Sequence, residues 1–479
     1  MQFVVIGITD RPKPFFPPEV TDIIGRGKVF SGGRRHHEIM APLLPADAEW
    51  IDITVPLDAV FEQYKNLADG YSRRGEEGTV IVFASGDPLF FGFANTIMRK
   101  MPEAGVTVYP SFNSLQMLAH RLLMPYHDMH VVSLTGRPWP AFDRELIGCS
   151  PMIGVLTDRE HTPAAIARRM LDYGYDHYSM HIGEHLGHPE KERVTTLSLQ
   201  EAAQRDFSQP NCLILVLQSQ SSHQSTRQST HQSTRQSTRQ STRPFGLPDN
   251  SFALLDGREK MITKMPIRLL TLQALDLPRR HVLWDIGACT GSVSIEARLL
   301  FPHLQIEAFE IRPECEAIIR ENMLRHGAPG ISLHIGDFLA LPADASPSVG
   351  SASPPTGSAS PPVDSSSPSA GSASPPVSVG VSVGCLSRQH LPPDAVFIGG
   401  HGGHLKEIMA KVRPLLAPGG VIVMNSVSSP VVDRLSHRPS SRQLFEEACR
   451  ELGLVLHPTT HIALNDFNPI DILKCELPQ

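Results

Sequence analysis

The sequence predicts an α/β protein in two halves, and three observations carry that prediction. In the first half, short apolar β-branched runs alternate with helix-like stretches, the pattern of buried strands in layered α/β domains. In the second half, an apolar strand, a glycine turn and an amphipathic helix follow one another at 281–297. Between the halves, residues 220–243 read QSSH-QSTR-QSTH-QSTR-QSTR-QSTR, with too little apolar surface to offset the entropy of ordering. Domains are therefore expected at 1–218 and 245–479, joined by a solvated linker at 219–244.

Composition bounds the rest. A chain of 479 residues, 41% hydrophobic and 19% charged, is long enough for sizeable cores and is not a disordered chain. Its formal net charge of −6 is a poor footing for general nucleic-acid binding, so no nucleic-acid partner is expected. Seven cysteines without a CxxC pair argue against a disulfide framework and a zinc ribbon, and suit a reducing compartment. No run approaches 18 uncharged apolar residues, so no membrane span is expected. MQFVVIGITD opens straight into a strand-like run without a basic leader, so the cytoplasm is the expected address. A homo-oligomer is expected, and no metal.

A second biased stretch, 343–384, is built from Ala, Asp, Ser, Pro, Val, Gly and Thr. In it GSASPP recurs at 350, 357 and 371. Pro-Pro in each unit forbids a helical heptad. It reads as a disordered insertion, because loop-closure cost grows only with the logarithm of length.

In the first half FVVIGI, TVIVFAS, HVVSL, MIGVLT and CLILVL are the strand candidates, arranged as two small sheets. Helices are expected at 92–101 and 163–173, the latter with Thr162 as N-cap and Pro163 at the first position. ASGDPLFFG at 84–92 lies between strand and helix. Gly86 and Gly92 allow tight turns, and Asp87 orients the loop through its own backbone. A turn at a strand's carboxyl end is where open α/β sheets bind ligands; a plain connecting turn is the competing reading.

SGDPLFFG resembles the loop with which the corrin-type tetrapyrrole methylases hold S-adenosylmethionine. SGGRRHHE (31–38), PSFNSLQMLAHRLLMPYHD (110–128), SLTGRP (133–138) and LTDREHTPAAIA (156–167) resemble the subgroup that methylates precorrins at a meso carbon. The resemblance implies cofactor contacts at Gly86, Asp87, Gly92, Ser114 and Thr157. Two departures stand out: GITDRPK replaces the usual glycine-proline-glycine turn after the first strand, and Thr135 stands where a histidine is common. Methyl transfer to carbon is an in-line displacement that mainly requires positioning. A polycarboxylate acceptor requires cationic anchors, and Arg34, Arg35 and Arg137, with His36 and His37 beside them, are the candidates.

In HVLWDIGACTGSVSIEA, Asp285 closes the strand, and Gly287 and Gly291 let the backbone approach a ligand at a helix N-terminus. QIEAFEI ends in Glu310, about 20–25 residues on, where Rossmann-like folds place a carboxylate for ribose hydroxyls. SLHIGDF, DAVFIGG and GGVIVMNSV supply further strands. On these residues alone, NAD binding competes.

The run resembles the first motif of class I S-adenosylmethionine-dependent methyltransferases. MITKMPIRLLTL (261–272), FIGGHGGHL (397–405) and NPIDIL (468–473) resemble the decarboxylating precorrin methyltransferases. The resemblance implies cofactor contacts at Thr263, Gly287, Ala288, Cys289, Thr290, Gly291, Glu310, Asp337 and Phe338. It places Lys264, Arg268, His401 and His404 toward substrate carboxylates. Cys289 replaces the usual middle glycine, and no catalytic group is singled out. The whole resembles a bifunctional family of cobalamin biosynthesis: a tetrapyrrole-methylase fold followed by a Rossmann-like class I sheet. That family implies methylation of a precorrin or cobalt-precorrin at carbons 5 and 15, with loss of the ring-C acetate as CO₂, giving precorrin-8X. Rival readings are another methyl acceptor, or one half acting only as a scaffold.

Overall fold

The computed structural model describes residues 1–218, 244–258, 261–341, 391–427, 439–463 and 469–478. The repeat at 220–243 and the tract at 343–384 lie outside the described residues. The chain forms two compact units, Met1–Ser241 and Thr242–Gln479.

Unit 1 holds two five-stranded sheets. The first comprises β1 (Gln2–Ile8), β2 (Val29–Gly32), β3 (Glu49–Asp52), β4 (Thr79–Ser85) and β5 (Gly105–Tyr109), ordered β3-β2-β4-β1-β5. Every pairing in it is parallel. All strands therefore end on one edge, and the near-continuous apolar runs of β1 and β4 match helices covering both faces. Phe3, Val5, Val80 and Val82 pack on one side, Ile6, Ile8, Ile81 and Phe83 on the other. The second sheet comprises β6 (His130–Ser133), β7 (Met152–Leu156), β8 (Tyr178–Glu184), β9 (Arg193–Ser198) and β10 (Asn211–Leu217), ordered β6-β7-β10-β8-β9. Only β6–β7 is parallel. The antiparallel register Leu156↔Cys212 and Glu184↔Asn211 brings the ends of β7 and β8 beside the start of β10.

The helix Pro163–Asp172 starts as the sequence predicts, with Thr162 Oγ1 accepting from the Ala165 amide at 3.2 Å. β2, β3, β5, β8 and β9 are additional to the predicted strands. Several are short, with intermediate exposure, and carry no continuous apolar run.

Unit 2 holds one mixed sheet of β11 (Val282–Ile286), β12 (Gln305–Glu310), β13 (Ile331–Ile335), β14 (Ala395–Ile398), β15 (Val421–Val427), β16 (Val455–Leu456), β17 (Thr460–Ile462) and β18 (Ile470–Glu476). Its order is β13-β12-β11-β14-β15-β18-β16, with β17 also on β18. Pairing is parallel from β13 to β15 and antiparallel at β18. The order reverses beside β11, where doubly wound sheets open a crevice at their carboxyl edge. No helix among the described residues is long and apolar enough to cross a membrane.

Candidate functional sites

In unit 2 a cavity of about 950 Å³ lies at the carboxyl ends of β11, β12, β13 and β14. Thr263, Lys264, Gly287, Ala288, Cys289, Thr290, Glu310, Asp337, Phe338, His401 and His404 all line it. The turn after β11 is shaped by backbone. Gly287 has φ +80°, and a Cβ there would meet the Gly400 amide nitrogen at 2.7 Å, so two loops touch main chain to main chain. The amides of Gly287 and Ala288 donate to the Phe309 carbonyl at 2.8 and 3.0 Å. Gly291, at φ +72°, is the N-cap of the helix Ser292–Leu300; it shapes the turn and does not line the cavity. Cys289 has φ +53°, a left-handed conformation that costs a side-chain-bearing residue.

The Cys289 amide donates to Glu310 Oε2 at 2.7 Å. Glu310 Oε1 accepts from the Arg312 amide at 3.0 Å and from its Nε at 2.8 Å. Burial opposes the Glu310 charge, but the bonds from Arg312 and Cys289 hold its pKa below the ordinary value. Asp285 differs. Its Oδ2 accepts from Ser294 Oγ at 2.6 Å, and burial pushes its carboxyl up to about 6. Asp285 Oδ1 and Thr290 Oγ1 are buried without hydrogen-bond partners. Both residues line the cavity. Phe338, packed edge-on to Trp284 and Phe309, supplies an apolar wall.

His401 Nδ1 accepts from the Gly403 amide at 3.2 Å, which leaves Nε2 to donate to Ser441 Oγ at 3.1 Å. Burial and then His404 lower its pKa. One expectation fails. Arg268 is fully buried, donating to Glu296, Asp249 and the carbonyls of Thr263 and Leu247. A guanidinium so enclosed is a structural tie and does not reach a substrate.

In unit 1 a cavity of about 500 Å³ is lined by Gly86, Gly92, Ser114 and Thr157 of the expected cofactor set, and by Arg35 and His36. Gly7 is a packing residue: a Cβ there would lie 1.9 Å from the Gly86 carbonyl oxygen. Ser114 begins a helix whose N-cap, Asn113, accepts from the Gln116 amide at 2.9 Å. Thr157 Oγ1 donates within 2.7 Å of the Asn211 side-chain oxygen. Asp87 is not a lining residue; it accepts from the Leu89 amide at 2.9 Å and fixes its own turn.

The arginines separate. Arg35 Nη1 reaches Asp10 Oδ1 at 3.2 Å and its Nη2 donates to Ser85 Oγ at 2.8 Å. His36 Nδ1 accepts from the Gly33 amide, so its Nε2 donates to Ser85 Oγ at 2.9 Å; burial brings its pKa down to about 4. Arg34 is turned to solvent beside Glu38, its side chain 93% exposed, and does not line the cavity. The helix starting at Arg34 allows only one of two successive side chains to face inward. Arg137 is likewise outside, donating to Ser133 Oγ at 2.7 Å and lying over the Phe91 ring. His37 stacks on Trp50. The sequence reasoning missed Asp10, whose signal was the departing GITDRPK loop, and Ser85, Asn113 and Asn211. In unit 2 it missed Arg312, two positions beyond Glu310.

Two methyltransferase family models match the chain in succession, one in each unit. Residues 17–203 match the tetrapyrrole (corrin/porphyrin) methylases, and residues 256–347 match the precorrin methyltransferase domain. The chain is similar to the decarboxylating precorrin-6Y C(5,15)-methyltransferases. It is 28% identical over 427 residues to the Sinorhizobium enzyme of that name, covering 89% of this chain and 84% of that one. It is also similar to a Salmonella typhi cobalt-precorrin-6B C(15)-methyltransferase (decarboxylating), 29% identical over 46% of this chain and 92% of that one. A Salmonella typhimurium cobalt-precorrin-7 C(5)-methyltransferase is 26% identical over 44% of this chain and 97% of that one.

Proposed function

We infer that the chain methylates a precorrin-6Y-type substrate at carbons 5 and 15 and releases the ring-C acetate as CO₂. Unit 1 performs the carbon-5 step; unit 2 performs the carbon-15 step and the decarboxylation. The observation that carries this reading is that each unit has its own cavity at the carboxyl ends of parallel strands, and most of the lining of each falls in a different matched methyltransferase domain.

The cofactor is S-adenosylmethionine, which supplies an electrophilic methyl group on a sulfonium. In unit 2 the unpartnered Asp285 Oδ1 and Thr290 Oγ1 accept from its cationic methionine end, Glu310 accepts from ribose hydroxyls, and Phe338 walls the adenine. Thr263, Gly287, Ala288 and Cys289 line the same wall, Gly291 shapes its turn and Asp337 braces Phe338. In unit 1, Gly86, Gly92, Ser114 and Thr157 line the cofactor space.

Lys264, His401 and His404 meet substrate carboxylates in unit 2, and Arg35 does so in unit 1. Arg35 is held at Nη1 by Asp10 and at Nη2 by Ser85, which fixes the plane of its fork before substrate arrives. Positioning donor and acceptor carbons is the main rate term for such a displacement.

The test is mass spectrometry of products formed by the full chain from precorrin-6Y and from its cobalt counterpart. Two added methyl groups and one lost CO₂ support the reading. Transfer to neither substrate overturns it. Glu310→Ala should lower carbon-15 methylation and CO₂ release together while a pre-methylated acceptor still gains its carbon-5 methyl. Equal loss of both methylations would overturn the division of labour.

A further inference from the structure

We propose that Lys411 is a positioning residue of the unit 2 cofactor site, acting through Phe338. The proposal rests on the cofactor reading above. Lys411 lies near the end of the helix Leu405–Val412, outside the cavity lining. Its Nζ donates to three backbone carbonyls, those of Phe338 at 2.6 Å, Leu339 at 2.9 Å and Leu341 at 2.5 Å. An ammonium has three donors, so each of its hydrogens finds an acceptor. The same nitrogen lies 5.1 Å from the centre of the Phe338 ring, within cation–π range.

The segment so held needs holding. Phe338–Ala340 is a single 3-10 turn, braced at its start by the Leu339 amide bonding to Asp337 Oδ1 at 2.9 Å. So short a turn sustains itself poorly; the Leu341 amide donates to the Phe338 carbonyl at a long 3.3 Å. Yet it carries the aromatic wall of the cavity. Lys411 adds donors to the carbonyls of Phe338, Leu339 and Leu341 from a helix that is itself fixed. Leu405, Ile408, Met409 and Val412 are buried in the same apolar cluster as Phe338, Trp284 and Phe309. The clamp therefore sets the Phe338 ring against the sheet from behind.

Titration of the full chain with S-adenosylhomocysteine tests this, the unit 2 binding phase being the one weakened by Glu310→Ala. Lys411→Met should lower affinity in that phase about tenfold, the range for residues that act on a site without touching the ligand. Lys411→Arg, which keeps charge and donors, should retain most of it. Lys411 acting through Phe338 also predicts coupling: in a Phe338→Ala background, Lys411→Met should add little further loss. If Lys411→Met does not fold, Lys411→Gln takes its place against Lys411→Arg. Wild-type affinity in Lys411→Met, or losses that simply multiply with Phe338→Ala, overturn the clamp. A wild-type chain with no unit 2 phase overturns the cofactor reading instead.

Discussion

The Cys289 amide donates to the Glu310 carboxylate at 2.7 Å, across the gap between the turn after β11 and the end of β12. One carboxylate thus both closes the turn after β11 and lines the cavity. The bond also explains how a cysteine is tolerated at φ +53°: its amide is fixed by a buried charge, which offsets the cost of the left-handed backbone.

Glu310→Ala should weaken S-adenosylhomocysteine binding at unit 2 by about 1.5–3 kcal/mol, the contribution of charge-assisted hydrogen bonds. The unit 1 binding phase should not move. Calorimetry on the full chain reads both, and a parallel loss in both phases would sink the assignment of Glu310 to one site.

Cys289→Gly should bind cofactor at least as well as the parent, because glycine adopts positive φ freely. Cys289→Val should lose affinity, since a β-branched side chain is strongly disfavoured there. The reverse order in a binding titration would mean that the thiol itself contacts the ligand.

Asp285 should make unit 2 pH-sensitive. Its folded pKa, raised by burial to about 6, lies above the unfolded value. Its stabilising contribution is therefore complete below the unfolded pKa and is lost as pH rises through about 6. Cofactor binding should run the other way: ionised Asp285 attracts a cation, so affinity should rise between about pH 5 and 7. Asp285→Asn should flatten this rise and improve thermal stability of the ligand-free protein at pH 8. An unchanged affinity profile would show that another group titrates.

Deleting 343–384 should leave S-adenosylhomocysteine affinity at unit 2 within about 0.5 kcal/mol, the usual range for changes away from structural features. Lys411 holds Phe338, Leu339 and Leu341 before the tract begins. A tenfold loss would show that the tract helps build the site.

Arg35→Ala should raise KM for carbon-5 methylation while leaving carbon-15 methylation intact. Arg34→Ala, which removes only an exposed pair with Glu38, should change KM less than about twofold. Steady-state kinetics with a carbon-15-methylated acceptor separates the two.

The sequence by itself determined the α/β class and the glycine turns after β4 and β11. These are written locally: buried parallel strands need unbroken apolar runs, and backbone approach to a ligand needs glycines such as Gly86, Gly287 and Gly291. Glu310 was legible for the same reason, as the residue ending a strand beside a glycine turn. Tertiary structure alone decided which of two adjacent arginines faces a cavity. Arg34 and Arg35 share composition and context, and only the helix phase against β1 and β4 turns Arg35 toward Asp10 and Ser85. It likewise buried Arg268, whose partners Asp249 and Glu296 lie 19 and 28 positions away in sequence. And it brought Lys411 to Phe338 across 73 positions, a contact set by packing one helix on one sheet edge, which no local pattern records.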